Sequence, residues 1–281
     1  MNLLQFTDLH IRPAGRLAYG KVDSNAIARR AFAKATTLGG KIDAIICTGD
    51  LTDNGLAGEY AELREILSDV ATPVYLIPGN HDRRENLLAH IPGVQQSDGF
   101  VQYTIDDFPV RIIMLDSVVP FATYGELCPA RLAWLRATLA EQPERETILA
   151  LHHPPFFTGI PQFDKTALRQ IDEFRYIIAA NPQIRHVVCG HIHRYIFGNI
   201  AQATCIVAPA IAYPFDLTLN PTIKEGFVLE PSAFLLHAWT NAGAITHEVF
   251  VDTYPGPFHV PNEPDYPGRP PAQPAGLGGE G

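Results

Sequence analysis

Five short clusters of Asp, Asn and His punctuate this sequence, and each follows an apolar run. Asp8-Leu9-His10 follows Leu3-Leu4-Gln5-Phe6, and Gly49-Asp50 follows Ala44-Ile45-Ile46-Cys47. Pro78-Gly79-Asn80-His81-Asp82 follows Val74-Tyr75-Leu76-Ile77, and His152-His153 follows Ile148-Leu149-Ala150-Leu151. Gly190-His191-Ile192-His193 follows His186-Val187-Val188-Cys189. Carboxylates, an amide and imidazoles are oxygen and nitrogen ligands, and no thiolate takes part. That donor set suits Mn, Fe, Co or Zn better than Cu(I), and it does not resemble a calcium cage. Two cations close together, sharing a bridging carboxylate, clamp the attacking and departing oxygens of an in-line phosphoryl displacement. Water bound there has a lowered pKa, which makes a hydroxide nucleophile accessible near neutral pH. The clusters therefore predict a two-metal hydrolytic site. Singly they say less: an Asp-x-His is often a capped loop and Gly-Asp a common turn, whereas Gly-Asn-His-Asp and Gly-His-x-His are rarer strings.

The elements must bring these clusters to one edge. Ligands bind at the carboxyl ends of strands in open α/β sheets, and all five clusters sit at the ends of strand-like runs. A strand has a period of two, so Asp8 and His10 are expected on the same side of the first strand, near residues 3–7. Asp23-Ser24 reads as the N-cap of a helix over 25–38 that stops at Gly39-Gly40. A helix over 57–70 carries Leu63, Ile66, Leu67 and Val70 at core spacing, and a short helix over 84–90 follows the third strand. This βαβαβ order predicts a parallel sheet. Alternation over 100–105 and the run 110–115 predict an antiparallel pair. Helices over 130–139 and 165–179 then precede the strands ending at His152 and Gly190. Hairpins are expected over 195–208 and, around Asn241-Ala242-Gly243, over 233–251. The expected class is α/β, a four-layer α/β/β/α sandwich. We expect a catalytic domain over 1–210, a cap and oligomerisation segment with a closing hairpin over 211–254, and a Pro/Gly-rich tail over 255–281 whose last dozen residues are disordered.

A chain of 281 residues, 46% apolar, can bury one large core or two smaller ones. Its net charge of −9 argues against a nucleic-acid polymer, which needs a basic surface, but not against a small anion met by bound cations. Four cysteines without CxxC spacing read as free thiols. No leader peptide or membrane-length apolar run is visible, so a soluble, cytoplasmic protein is expected.

Taken together the clusters resemble the calcineurin-like metallophosphoesterases, over residues 3 to about 210 and with every motif in order. Leu-Ile-Pro-Gly-Asn-His-Asp, Leu-His-His-Pro-Pro and Cys-Gly-His-Ile-His look most similar to bacterial class III cyclic-nucleotide phosphodiesterases and binuclear glycerophosphodiesterases. The segments Tyr19-Gly20-Lys21-Val22-Asp23 and Tyr254-Pro255-Gly256-Pro257 lean towards the latter. The resemblance implies one metal on Asp8, His10, Asp50 and His193, and a second on Asp50, Asn80, His152 and His191, with Asp50 as the bridge. Asn80 and His81 would bind substrate, and His81 would stabilise the transition state or assist the leaving alcohol. Asp53 is expected to orient His81 from behind, with simple capping of the loop before residue 57 as the alternative. His153 is expected to support His152. Arg83 and Arg84 read as an exposed helix start, although either could meet phosphate. The Phe156-Phe157-Thr158-Gly159 loop could wall the substrate pocket or simply pack under a mobile loop, and Tyr213-Pro214-Phe215 could be cap or interface. His186, His237 and His247 read as structural. The expected activity is hydrolysis of small phosphodiesters, 3′,5′-cyclic nucleotides or glycerophosphodiesters, by a homo-oligomer. Alternatives are a phosphomonoesterase, a non-catalytic scaffold of the same fold, or a nuclease or protein phosphatase, which would need a polymer-docking surface.

Overall fold

The computed structural model describes residues 1–258. The last dozen residues, expected to be disordered, lie outside that range. Strands β1 (Asn2–Phe6), β2 (Ala44–Thr48) and β3 (Val74–Ile77) pair in parallel, connected through α1 (Ser24–Ala35) and α2 (Ala57–Ser68), and α3 (Arg84–His90) follows. Helix α1 starts where the Asp23 carboxylate accepts from the Ala26 N–H at 3.0 Å. It ends three residues before the expected limit, because the Thr36 and Thr37 hydroxyls donate to the Ala33 and Lys34 carbonyls (2.7 and 2.8 Å) and so compete with the helical ladder.

The second half of the chain supplies β4 (Tyr103–Ile105), β5 (Arg111–Leu115), α4 (Pro129–Glu141), β6 (Thr147–Leu151), α5 (Ile171–Ala180), β7 (Ile184–Cys189), β8 (Ile196–Ile200) and β9 (Ala203–Val207). They make a six-stranded sheet in the order β4-β5-β6-β7-β9-β8, antiparallel only at its two edges. Helix α5 begins six residues later than expected, since residues 163–170 turn back on themselves and Gln170 adopts a left-handed conformation at φ +56°. The last hairpin, β10 (Ala233–Thr240) and β11 (Gly243–Phe250), pairs with β1 and completes a five-stranded sheet ordered β11-β10-β1-β2-β3. Residues 233–250 are therefore part of the sandwich itself.

The period of two along β5, β6 and β7 separates the layers. Ile112, Met114, Ile148, Ala150 and Val188 join the core shared with the first sheet and helices α1 and α2. Their neighbours Ile113, Leu115, Leu149, Leu151 and Val187 join a second core with α4 and α5. Strands buried on both faces read as unbroken apolar runs, which is how they appear in the sequence. Burial of each such side chain contributes about 1.5–3 kcal/mol. The carboxyl ends of β1, β2, β3, β6 and β7 emerge side by side at the top of this double core.

Candidate active site

The five polar clusters converge. Asp8 and His10 do so by a different route from the one alternation predicts: β1 ends at Phe6, and both residues lie beyond it in the left-handed region, at φ +52° and +45°. Asp50, His191 and His193 share that conformation, at +47°, +75° and +56°. Each such residue is strained by about 1–3 kcal/mol and persists only where its surroundings over-determine it. Here the Asp8 and His10 N–H groups donate to the Gly49 and Asp50 carbonyls (both 3.0 Å), Ala212 donates to the Asp8 carbonyl (3.1 Å), and Gly190 donates to the His152 carbonyl (3.0 Å). Asp82 sews two clusters together, accepting from the Leu51, Thr52 and Gly79 N–H groups and from the Tyr60 hydroxyl at 2.8–3.1 Å.

Two groups of donor atoms result. In the first, Asp8, His10, Asp50 and His193 each place an oxygen or ring nitrogen within 4.8 Å of the others. The His10 Nδ1–H donates to Asp53 Oδ1 (3.1 Å) and the His193 Nδ1–H donates to the Tyr213 carbonyl (2.7 Å). In the neutral rings both Nε2 atoms therefore present lone pairs, and they face each other at 3.0 Å. Two lone pairs with two carboxylates around them need a cation. In the second group, the His152 Nδ1–H donates to the Thr48 carbonyl (2.8 Å), and its Nε2 lies 3.2 Å from Asn80 Oδ1 and 3.4 Å from Asp50 Oδ1. The other Asp50 oxygen is 3.7 Å from His10 Nε2, so the two oxygens of one carboxylate face different groups. Thr166 donates to the Phe163 carbonyl (3.0 Å) and accepts from the His191 Nε2–H (2.9 Å), which leaves His191 Nδ1 as that ring's free nitrogen.

Electrostatics repeat the point. Burial alone would raise the carboxyls of Asp8 and Asp50, yet the facing imidazoles, His193 for one and His152 for the other, hold both below the ordinary range. Burial lowers His10, and it takes His191 down to about 3, so both rings are neutral and able to serve as ligands. Burial opposes protonation of His152 too, but Asp50, together with Asp8 and the Thr48 carbonyl, outweighs it and pushes the ring up to about 9. A proton on His152 substitutes for a cation that these residues are arranged to hold. The donor set fits metal ions.

Asp53 does touch His81, but through its backbone, and its side chain serves another ring. Its carboxylate orients His10, not His81, and is itself gripped by Arg12 at 2.6 Å. Its backbone carbonyl accepts from the His81 Nδ1–H at 2.7 Å, so one residue fixes two rings from two different atoms. The His81 N–H donates to Asp50 Oδ1 at 2.9 Å. Burial opposes a charge on His81, but Asp50 and the Asp53 carbonyl raise its pKa. His153 meets the Ser117 hydroxyl through Nδ1 (2.8 Å), and it brings a third nitrogen within 4.8 Å of those of His152 and His191.

His10, Asp50, Asn80, His81, His191 and His193 floor a cleft of about 840 Å³, walled by Tyr19, Phe163, Tyr213, Phe215 and Phe227, with Lys21 and Glu225 also lining it. Phe156 and Phe157, candidates to wall the pocket, do not line it. The same loop does so through Phe163 and Thr166, whose types carry no motif in the sequence. The ring of Tyr213 packs 5.3 Å from that of His10 and 5.0 Å from that of His193. His237 is structural as expected, held between Gln5 and Thr246.

The family described as Calcineurin-like phosphoesterase matches residues 1–195. The chain is 35% identical over 268 residues to an Arcobacter nitrofigilis protein named "Probable glycerophosphodiester phosphodiesterase GpdQ", covering 94% of this chain and 98% of that one. It is 29% identical over 255 residues to the 3′,5′-cyclic adenosine monophosphate phosphodiesterase CpdA of Escherichia coli K12, covering 89% of each. Among solved structures, a dimetal phosphatase from Danio rerio aligns with a TM-score of 0.62 at 13% identity, over 90% of this chain and 99% of that one.

Proposed function

The chain belongs to the calcineurin-like phosphoesterase family, and we propose that it is a binuclear metal-dependent phosphodiesterase acting on small phosphodiesters. The observation that carries this reading is Asp50, whose two oxygens face two separate groups of oxygen and nitrogen donors beside one cleft. Asp8, His10 and His193 would hold one cation with Asp50, and Asn80, His152 and His191 the other. Bound there, two such cations supply Lewis acidity and a water of lowered pKa. Mn, Fe, Co and Zn all suit these donors.

The chain's own part is positioning and proton transfer. Thr48, Asp53, Thr166 and Tyr213 fix the imidazole tautomers, so little reorganisation is needed when a cation and a phosphate arrive. His81 has Nδ1 engaged, which leaves Nε2 for the substrate. Its raised pKa suits donation of a proton to the departing alcohol. Asn80 sits beside it to orient the phosphate. The relatives named for glycerophosphodiester and cyclic AMP hydrolysis support diesters as the substrate class, and a net charge of −9 speaks against nucleic-acid polymers.

The same reading includes self-association through the segment between the two halves of the sandwich, where Leu217, Leu219 and Leu229 are 57%, 70% and 76% exposed. Among the described residues no helix is long and apolar enough to cross a membrane, and all four cysteines are free, which favours a reducing compartment such as the cytoplasm.

Initial rates of the Mn-loaded protein on cyclic AMP, glycerophosphoethanolamine and a phosphomonoester test the proposal. Turnover of either diester above the monoester supports it. Preference for the monoester, or no turnover at all, overturns it.

A further inference from the structure

Asn80 and His81 line two clefts, not one. Besides the large aromatic-walled cleft, a second one of about 150 Å³ also meets these two residues, bounded by Arg83, Glu85, Val118, Pro120 and Phe121. Its polar groups are not all committed to the fold. Arg84 is spent on Asp116 and the Val118 carbonyl, and Asp82 on the backbone around it. Arg83 and Glu85 are exposed, and the Arg83 guanidinium lies 5.1 Å from the centre of the Phe121 ring, itself 90% exposed. One cationic donor, one anionic acceptor and one aromatic face therefore surround a space that would hold about five waters.

A phosphodiester carries two substituents, and their connection decides how much space it uses. In a cyclic diester both ester oxygens belong to one sugar, so a phosphate held at Asn80 and His81 sends its organic part in one direction. In an acyclic diester the two alcohols diverge from phosphorus, and each needs a cleft of its own. Two clefts of unequal size meeting at the same two residues match the second case. Donors and acceptors of opposite charge at the smaller one suit hydroxyl groups, which both give and receive hydrogen bonds, better than they suit a further anion or cation.

Resting on the phosphodiesterase reading, we propose that the cleft bounded by Arg83, Glu85 and Phe121 is a second-substituent subsite for one alcohol of an acyclic phosphodiester, a small neutral polyol such as the glycerol of glycerophosphoethanolamine. The large cleft takes the other substituent. The test is kcat/KM of the Mn-loaded full chain on glycerophosphoethanolamine and on cyclic AMP, for the parent and for Arg83→Ala, Glu85→Ala and Phe121→Ala. All three positions are at the surface, so folding is retained. The ratio of the two kcat/KM values should shift about tenfold against the acyclic substrate in Arg83→Ala, mainly through KM, as expected for one lost hydrogen bond to a hydroxyl. Equal losses on both substrates, or no change in any variant, would overturn the subsite. A parent that hydrolyses cyclic AMP but no acyclic diester would overturn it as well, while leaving the phosphodiesterase reading intact. A parent that hydrolyses no diester would overturn both.

Discussion

His152 separates the metal-free protein from the loaded one. Its pKa of about 9 in the folded chain stands above the roughly 6.5 of an unfolded histidine. A raised folded pKa adds stability that is fully present below the unfolded value and is lost as pH rises through the folded one. The melting temperature of chelated protein should therefore fall between about pH 6.5 and pH 9, whereas Mn-loaded protein should melt higher and stay level there, since a cation then takes the proton's place. A level profile after chelation would contradict the arrangement. Asn80→Ala should release one of two bound Mn equivalents, read by elemental analysis, and lower turnover with it; unchanged metal content would remove Asn80 from the ligand set. Asp53→Asn should weaken metal binding about 10–100-fold by loosening His10, with a smaller effect on the substrate's KM. At this scale the sequence shows the types of the candidate ligands plainly. It conceals what orients them, because two of the partners are the carbonyls of Thr48 and Tyr213, and a backbone carbonyl looks alike at every position. Thr166 was equally hidden, lying in a stretch whose pattern reads as the start of a helix.

The elements meet at glycines where strand ends approach one another. A Cβ on Gly190 would fall on the Thr7 hydroxyl, and the adjacent His191 N–H donates to Asp8 Oδ2 at 3.1 Å, so the ends of β1 and β7 are clamped across the two sheets. Gly190→Ala should cost about 1–3 kcal/mol of unfolding free energy, as overpacking usually does, and should also reduce metal content, because the clamp carries Asp8 and His191 together. Urea denaturation monitored by circular dichroism checks the first part. Strands were legible from their apolar runs and the parallel order from the alternation with helices. Less so was the route from β1 to His10: the left-handed turns at Asp8 and His10 follow from contacts with the neighbouring loop, not from the identities of the two residues. The start of α5 was displaced for a related reason, since the loop before it is shaped by its contacts with His191 and the cleft.

Across the whole molecule, the leucines of residues 217–229 predict association. Size-exclusion chromatography with light scattering should find more than one chain per particle, and Leu217→Ser with Leu219→Ser should reduce that number; a monomeric parent would end the idea. The hairpin near the carboxyl end, legible in the sequence as a hairpin, gave no sign there of its partner, because strand pairing at a distance leaves no local pattern. That pairing joins Gln5 to Leu235. During synthesis β1 emerges well before its partner, and its outer edge waits for more than two hundred residues before β10 arrives to cover it. Until then that edge is open to other chains. Asp8 and His10 hang from the same strand, so a chain that has not yet reached β10 should be a poor competitor for scarce metal and a good client for chaperones.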